Sequence, residues 1–136
     1  MIIEGYAALF GVADQMRDVV RAGAFAQSIV RRPRIPMLVE HEARAVAGEW
    51  TELREDGRGL YLRGEIRDAC RGAARAKRML ARGVDGLSIG FVPLVQHRTP
   101  GGRVLSEIDL LEVSIVTHPM QPQARLNLAR HLSRAA

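Results

Sequence analysis

The alternation of apolar and polar positions predicts a chain built mainly from strands. IIEGYAALF, residues 2–10, reads as a buried opening strand stopped by Gly11. Residues 13–18 are polar and read as a loop. Residues 23–32 predict a short helix, with Phe25, Ile29 and Val30 near helical spacing before Pro33. MLVEH, residues 37–41, predicts a strand with Met37, Val39 and His41 on one face. Residues 46–66 predict a β-hairpin turning at EDGRG. Asp68 is the expected N-cap of a helix over 69–82, whose apolar face carries Ala69, Ala73, Ala76 and Leu80, with Gly83 as its stop. Strands are expected again over 86–96 and 104–117, joined by a turn at 98–103. Residues 123–136 read as an amphipathic helix with Leu126, Leu128 and Leu132 on one side. About six or seven short strands and two or three helices predict a β-rich α+β fold, a small barrel or strongly bent sheet with helices packed outside.

Composition narrows the class. At 136 residues, 47% hydrophobic and 26% charged, the chain is expected to form one globular domain spanning 1–136. No apolar run approaches the roughly 18 residues that span a bilayer, and the N-terminus lacks the basic segment of a signal peptide, so an intracellular protein without a membrane partner is expected. A single cysteine, Cys70, excludes an internal disulfide framework and a multi-cysteine zinc site. The formal charge of +5 is carried mostly by arginine, with Arg63, Arg67, Arg71, Arg75, Arg78 and Arg82 in one stretch. Aromatics are only 4% and acids interleave with the arginines, so a solvated helix face accounts for them better than a nucleic-acid surface.

Candidate chemistry lies where polar residues break apolar strands. In GLSIGF, Leu87, Ile89 and Phe91 share one face, while Ser88 and Gly90 share the other. In LLEVSIVT, Leu111, Val113 and Ile115 form one face, and Glu112 and Ser114 lie opposite beside Leu110 and Val116. His41 closes a third strand. Serine, imidazole and acid are the groups of nucleophilic hydrolysis: the imidazole accepts the serine proton, and the acid holds the imidazole and stabilises its charge. Each residue also has an ordinary reading. Ser88 would bond to backbone, His41 would be a satisfied strand-end histidine, and Glu112 would pair with an arginine. Periodicity alone leaves both sets of readings open. A metal hydrolase built on His41, His97, His118 and His131 has no close ligand pair such as HxxxH to support it.

Several short motifs, taken in order, resemble the prohead (capsid maturation) serine proteases of tailed phages and, through them, the assemblin proteases of herpesviruses. EGYAALFGVAD and DVVRAGAF are similar to the opening strand and following turn, LVEHEA to the histidine motif, GLSIGF to the serine motif, and LLEVSIVTHPMQPQA to the closing strand and its exit. The resemblance covers roughly residues 2–125. It implies an assemblin-like β-barrel flanked by helices, with Ser88 as nucleophile, His41 as general base and Glu112 as third member where the herpesvirus relatives use a second histidine. Arg125 is the nearest candidate for an oxyanion donor, on a poorer motif match. The motif departs from the family at Glu42, where aspartate usually follows the histidine, and the chain is shorter than family precursors. The implied substrates are the major capsid protein and scaffold, and the chain itself, cut within an assembling procapsid in the host cytoplasm. No cofactor or metal is required. A homo-oligomer, formed through the alanine face of helix 69–82 or the leucine face of the tail, is a further expectation. The competing reading is a nonenzymatic capsid-assembly or scaffold-binding module on the same fold.

Overall fold

Alternating apolar residues place seven strands in one curled sheet, which the computed structural model describes for residues 1–127. In chain order the elements are β1 (Ile2–Leu9), β2 (Asp18–Val20), α1 (Ala26–Arg31), β3 (Ile35–Val39), β4 (Glu42–Glu55), β5 (Gly59–Ile66), α2 (Ala73–Ala81), β6 (Gly86–Thr99) and β7 (Gly102–Val116). The sheet runs β1-β5-β4-β3-β7, and β7 carries β6 along its other edge. β3 and β2 both lie parallel to β7, β3 beside its C-terminal half and β2 beside its N-terminal half. Among the described residues the result is a mostly β half-barrel with two short helices, so helices flank it less fully than expected.

The open side of the curl is bridged by the segment that follows β7. Leu87 N donates to Ala124 O and Leu126 N to Asp85 O on the β6 side, while Asn127 N donates to Glu4 O of β1. Gly5 makes room for this crossing: a Cβ there would sit 2.3 Å from Arg125 O. Residues 123–127 are thus not the start of the expected tail helix, since Arg125 and Leu126 form bridges to Gly86 and Gly5, and residues 128–136 lie outside the described residues.

The core joins the sheet's inner face to both helices. Ile3, Phe25, Trp50, Leu62, Leu87, Leu105, Ile108 and Ile115 are fully buried, which supplies the hydrophobic stabilisation such a small sheet needs. Trp50 does two things at once. Its ring fills the core, and its indole Nε1 donates to Val113 O at 3.0 Å, tying β4 to the strand that carries Glu112. Trp50→Phe keeps most of the apolar surface but leaves the buried carbonyl of Val113 without this donor, so urea unfolding should show a loss of about 1–3 kcal/mol.

Further local expectations are corrected. His41 is not the end of a strand: β3 stops at Val39, and Glu40 and His41 form a tight turn into β4. Leu111 does not share the buried face with Val113 and Ile115. The register steps from Gly90↔Glu112 to Phe91↔Leu110, leaving Leu111 as the extra residue of a bulge, 39% exposed while Leu110 is buried. Asp68 does not cap α2, which starts at Ala73 with Gly72 at its N-cap; Asp68 pairs with Lys77 instead. Asp18, the last residue of the expected loop, instead opens β2 with Val19 and Val20 and pairs with β7, in a strand too short to show alternation. The alanine face of α2 is buried against the chain's own core through Ala73, Ala76 and Leu80, so it is not available for a homodimer.

Candidate active site

The turn after β3 carries the histidine. Val39 and Glu42 are paired, and between them Glu40 and His41 have φ of 53° and 59°. A two-residue hairpin turn with both φ positive is usually built from Asn-Gly, because side chains are strained there. Here three hydrogen bonds impose it. Glu40 N donates to Ile115 O, Thr117 N donates to Glu40 Oε1, and His41 N donates to the Ser114 hydroxyl at 3.0 Å.

Ser114 and Glu112 then fix the imidazole. Ser114 is fully buried, and its hydroxyl donates to Glu112 Oε2 at 2.7 Å while accepting from His41 N. The other carboxylate oxygen, Oε1, meets His41 Nδ1 at 2.5 Å. One carboxylate thus holds both the ring and the hydroxyl that anchors the ring's backbone. The hydrogen bond to Glu112 raises the His41 pKa above the usual 6.5, assisted by the charges of Glu112 and Glu40 and opposed by partial burial. With Nδ1 engaged, Nε2 is the nitrogen left to accept a proton when the ring is neutral.

Ser88 enters from the neighbouring strand. In the antiparallel β6–β7 pair Ser88 stands opposite Ser114, and Gly90 stands opposite Glu112. Facing residues share a side of the sheet, so Ser88 lies on the side that holds Glu112 and Ser114. Ser88 is 5% exposed, yet its hydroxyl makes no hydrogen bond to any described residue. The ordinary reading of a buried serine bonded to backbone therefore fits Ser114, which accepts from His41 N, and not Ser88. No direct Ser88–His41 hydrogen bond is present. Catalytic hydrogen bonds of this kind often tighten only when substrate binds. A cavity of about 220 Å³ opens beside Ser88, walled largely by apolar side chains.

Gly90 explains why the serine strand carries a second glycine. A Cβ at this position would lie 2.1 Å from Glu112 Oε1 and 2.7 Å from its carboxyl carbon. Gly90→Ala should push the flexible Glu112 side chain off His41. The expected result is a roughly 100-fold lower kcat with an unfolding midpoint close to wild type, measured by peptide hydrolysis and thermal melting on the same preparations.

The remaining candidates lie elsewhere. Arg125 is committed to Asp85 through an ion pair and to Pro122 O through its Nε. His97 lies on the outer part of β6 and His118 follows β7, while His131 is outside the described residues. Among the described residues no group of three His, Cys, Asp or Glu side chains is placed to hold a metal ion. Sequence reasoning assigns no role to Ser114. Its signal was a second polar residue on the same strand face as Glu112.

Comparison with known proteins gives this geometry a family. The sequence model of the caudovirus prohead serine protease family matches residues 1–135. The chain belongs to that family. It is 36% identical over 129 residues to the prohead protease of Enterobacteria phage HK97, a match that covers 90% of this chain and 57% of that protein. The chain thus spans little more than half the length of this relative. Among solved structures, the bacteriophage T4 capsid assembly protease superposes with a TM-score of 0.69 at 15% identity, over 85% of this chain and 80% of that one. The varicella-zoster virus protease superposes with a TM-score of 0.63 at 15% identity, over 93% and 62% respectively. At such identities the two structures show a shared fold, and the fold is the assemblin-like half-barrel.

Proposed function

We propose that this member of the prohead protease family is a serine endopeptidase that processes capsid or scaffold protein, and itself, during procapsid maturation. The observation that carries the reading is the uncommitted hydroxyl of Ser88 across from Ser114, on the sheet face that holds Glu112, whose carboxylate clamps the His41 imidazole through Nδ1. The names of the HK97 and T4 relatives, a prohead protease and a capsid assembly protease, support the substrate class.

Ser88 Oγ attacks the carbonyl carbon of the scissile peptide while His41 Nε2 takes the hydroxyl proton. Glu112 stabilises the imidazolium that forms, the same interaction that raises the ring's pKa at rest. The tetrahedral intermediate collapses as His41 gives its proton to the leaving amine, leaving an ester on Ser88. Water then attacks the ester with His41 again as base, releasing the acid and restoring the hydroxyl. Confinement in a procapsid would raise the effective concentration of substrate and allow a modest catalyst to suffice.

The test is the intact mass of the capsid protein and scaffold encoded beside this chain, co-expressed with and without it. Truncated products dependent on this chain are expected, and a diphenyl phosphonate probe should label Ser88 and no other residue by peptide mapping. Full-length capsid protein that co-purifies with the chain would instead identify a binding module, and a label on another residue would displace Ser88 from its role.

A further inference from the structure

The cavity beside Ser88 has a polar composition that its own hydrogen bonds leave unbalanced. Its walls are apolar where Ala8, Val20, Leu87, Ile89, Phe91 and Leu105 meet, and three charged groups stand in it: Asp14, Asp18 and Arg103. Arg103 spends Nε and one terminal nitrogen on the two oxygens of Asp18, at 2.8 and 2.7 Å, and its other terminal nitrogen on Gln96. The pair is internally neutral. Gln121, the remaining amide in the wall, is also consumed: it accepts from Leu9 N and donates to the carbonyls of Leu9 and Val12. Asp14 differs. Its Oδ1 accepts from the backbone nitrogens of Met16 and Asp18, and its Oδ2 has no partner among the described residues.

We propose that this cavity receives the substrate side chain on the acyl side of the bond cut at Ser88, and that it selects a long unbranched side chain ending in a cation, lysine or arginine, held by Asp14. The inference rests on Ser88 being the nucleophile and adds the substrate class. Ser88 and its neighbours Leu87 and Ile89 all line the cavity, so the side chain of a residue whose carbonyl is attacked at Ser88 has this space within reach. A volume of about 220 Å³ is more than an alanine or serine side chain fills, and methylenes suit its walls. At the polar end one net negative charge is left. A cation there gains a charge-assisted hydrogen bond to Oδ2. An acidic side chain meets Asp14, and each nitrogen of Arg103 already donates to Asp18 or Gln96. Burial raises the pKa of the Asp14 carboxyl against the lowering by its two backbone hydrogen bonds and by Arg103, and an arriving ammonium would further favour the charged form.

The experiment compares three peptidyl diphenyl phosphonates that differ only in the side chain next to phosphorus: lysine-type, the same aliphatic stem without the ammonium, and glutamate-type. Ser88 Oγ attacks phosphorus, a P–O bond to phenoxide breaks, and phenol leaves with the serine proton delivered through His41. Labelling rates are read by intact mass. The wild-type rate with the lysine-type probe should exceed that with the uncharged probe by about 10- to 100-fold, and the glutamate-type probe should be slowest. Asp14→Asn keeps the Oδ1 acceptor for Met16 and Asp18 and should bring the lysine-to-uncharged ratio close to one. Asp68→Asn, an exposed carboxylate paired with Lys77, should keep the wild-type ratio. Equal labelling by the lysine-type and uncharged probes in wild type, or a ratio unchanged in Asp14→Asn, overturns the pocket assignment while Ser88 stands as nucleophile. No labelling of Ser88 by any probe overturns the nucleophile, and the pocket assignment with it.

Discussion

Ser88→Ala should abolish peptide hydrolysis, on the order of a 10⁶-fold loss in kcat, while changing the unfolding free energy by less than about 1 kcal/mol. The two halves of this expectation belong together. A buried serine that serves the fold does so through its hydrogen bonds, and removing such a bond costs about 1–3 kcal/mol when a partner is stranded. Ser88 has no such partner among the described residues, so alanine strands nothing. Turnover of a synthetic capsid-derived peptide and urea unfolding of the same preparation measure both quantities. A variant that loses stability and activity in proportion would return Ser88 to an ordinary core role.

Glu112→Gln should lower kcat by about 10³- to 10⁴-fold with KM little changed, because the transition state, and not the bound peptide, carries the imidazolium that Glu112 stabilises. Glutamine retains an acceptor for the Ser114 hydroxyl, so the turn at Glu40 and His41 should persist. The pH profile gives an independent reading. Since Glu112 raises the His41 pKa, the acid limb of kcat/KM in the wild type should have its midpoint above 6.5, activity appearing as the ring becomes neutral. In Glu112→Gln that midpoint should move down, and titration of the His41 ring by NMR should move with it. Stability carries the matching sign. The raised pKa contributes stability that is fully present below about 6.5, the unfolded value, and lost as pH rises through the folded one. An acid limb unmoved by the substitution would mean that Glu112 does not govern the ring.

Much of this site could be read before any coordinates, for a specific reason. Ser88 and Glu112 sit inside strands with strong alternation, and alternation fixes the side of a sheet to which a residue belongs. It also placed Ser88 with Gly90, and Glu112 with Ser114, on common faces. Three things escaped it. The pairing of Ser88 with Ser114 is a register, set across two strands rather than within one. The bulge at Leu111 breaks the alternation that the expected face assumed. His41 lies in a turn whose two residues lack the Asn-Gly signature, because bonds from Ile115, Ser114 and Thr117 hold a conformation that local preference disfavours. The helix over 69–82 was visible from its apolar spacing, but its start moved to Ala73 because Asp68 finds Lys77 instead of a backbone amide. Ordered motifs named the three residues together, which periodicity within one strand could not do.

The bridge that residues 124–127 make between β6 and β1 has a consequence for the timing of synthesis. Leu87, next to Ser88, receives its outer backbone partner from Ala124, 37 positions later in the chain. A ribosome adding about 5–20 residues per second therefore exposes Ser88, His41 and Glu112 before the segment that closes the open side of the sheet has emerged. The nascent chain then carries all three candidate residues while the strand of Ser88 still lacks its outer neighbour. The strand that carries Ser88 thereby gains its outer backbone partner only as the last described residues are made.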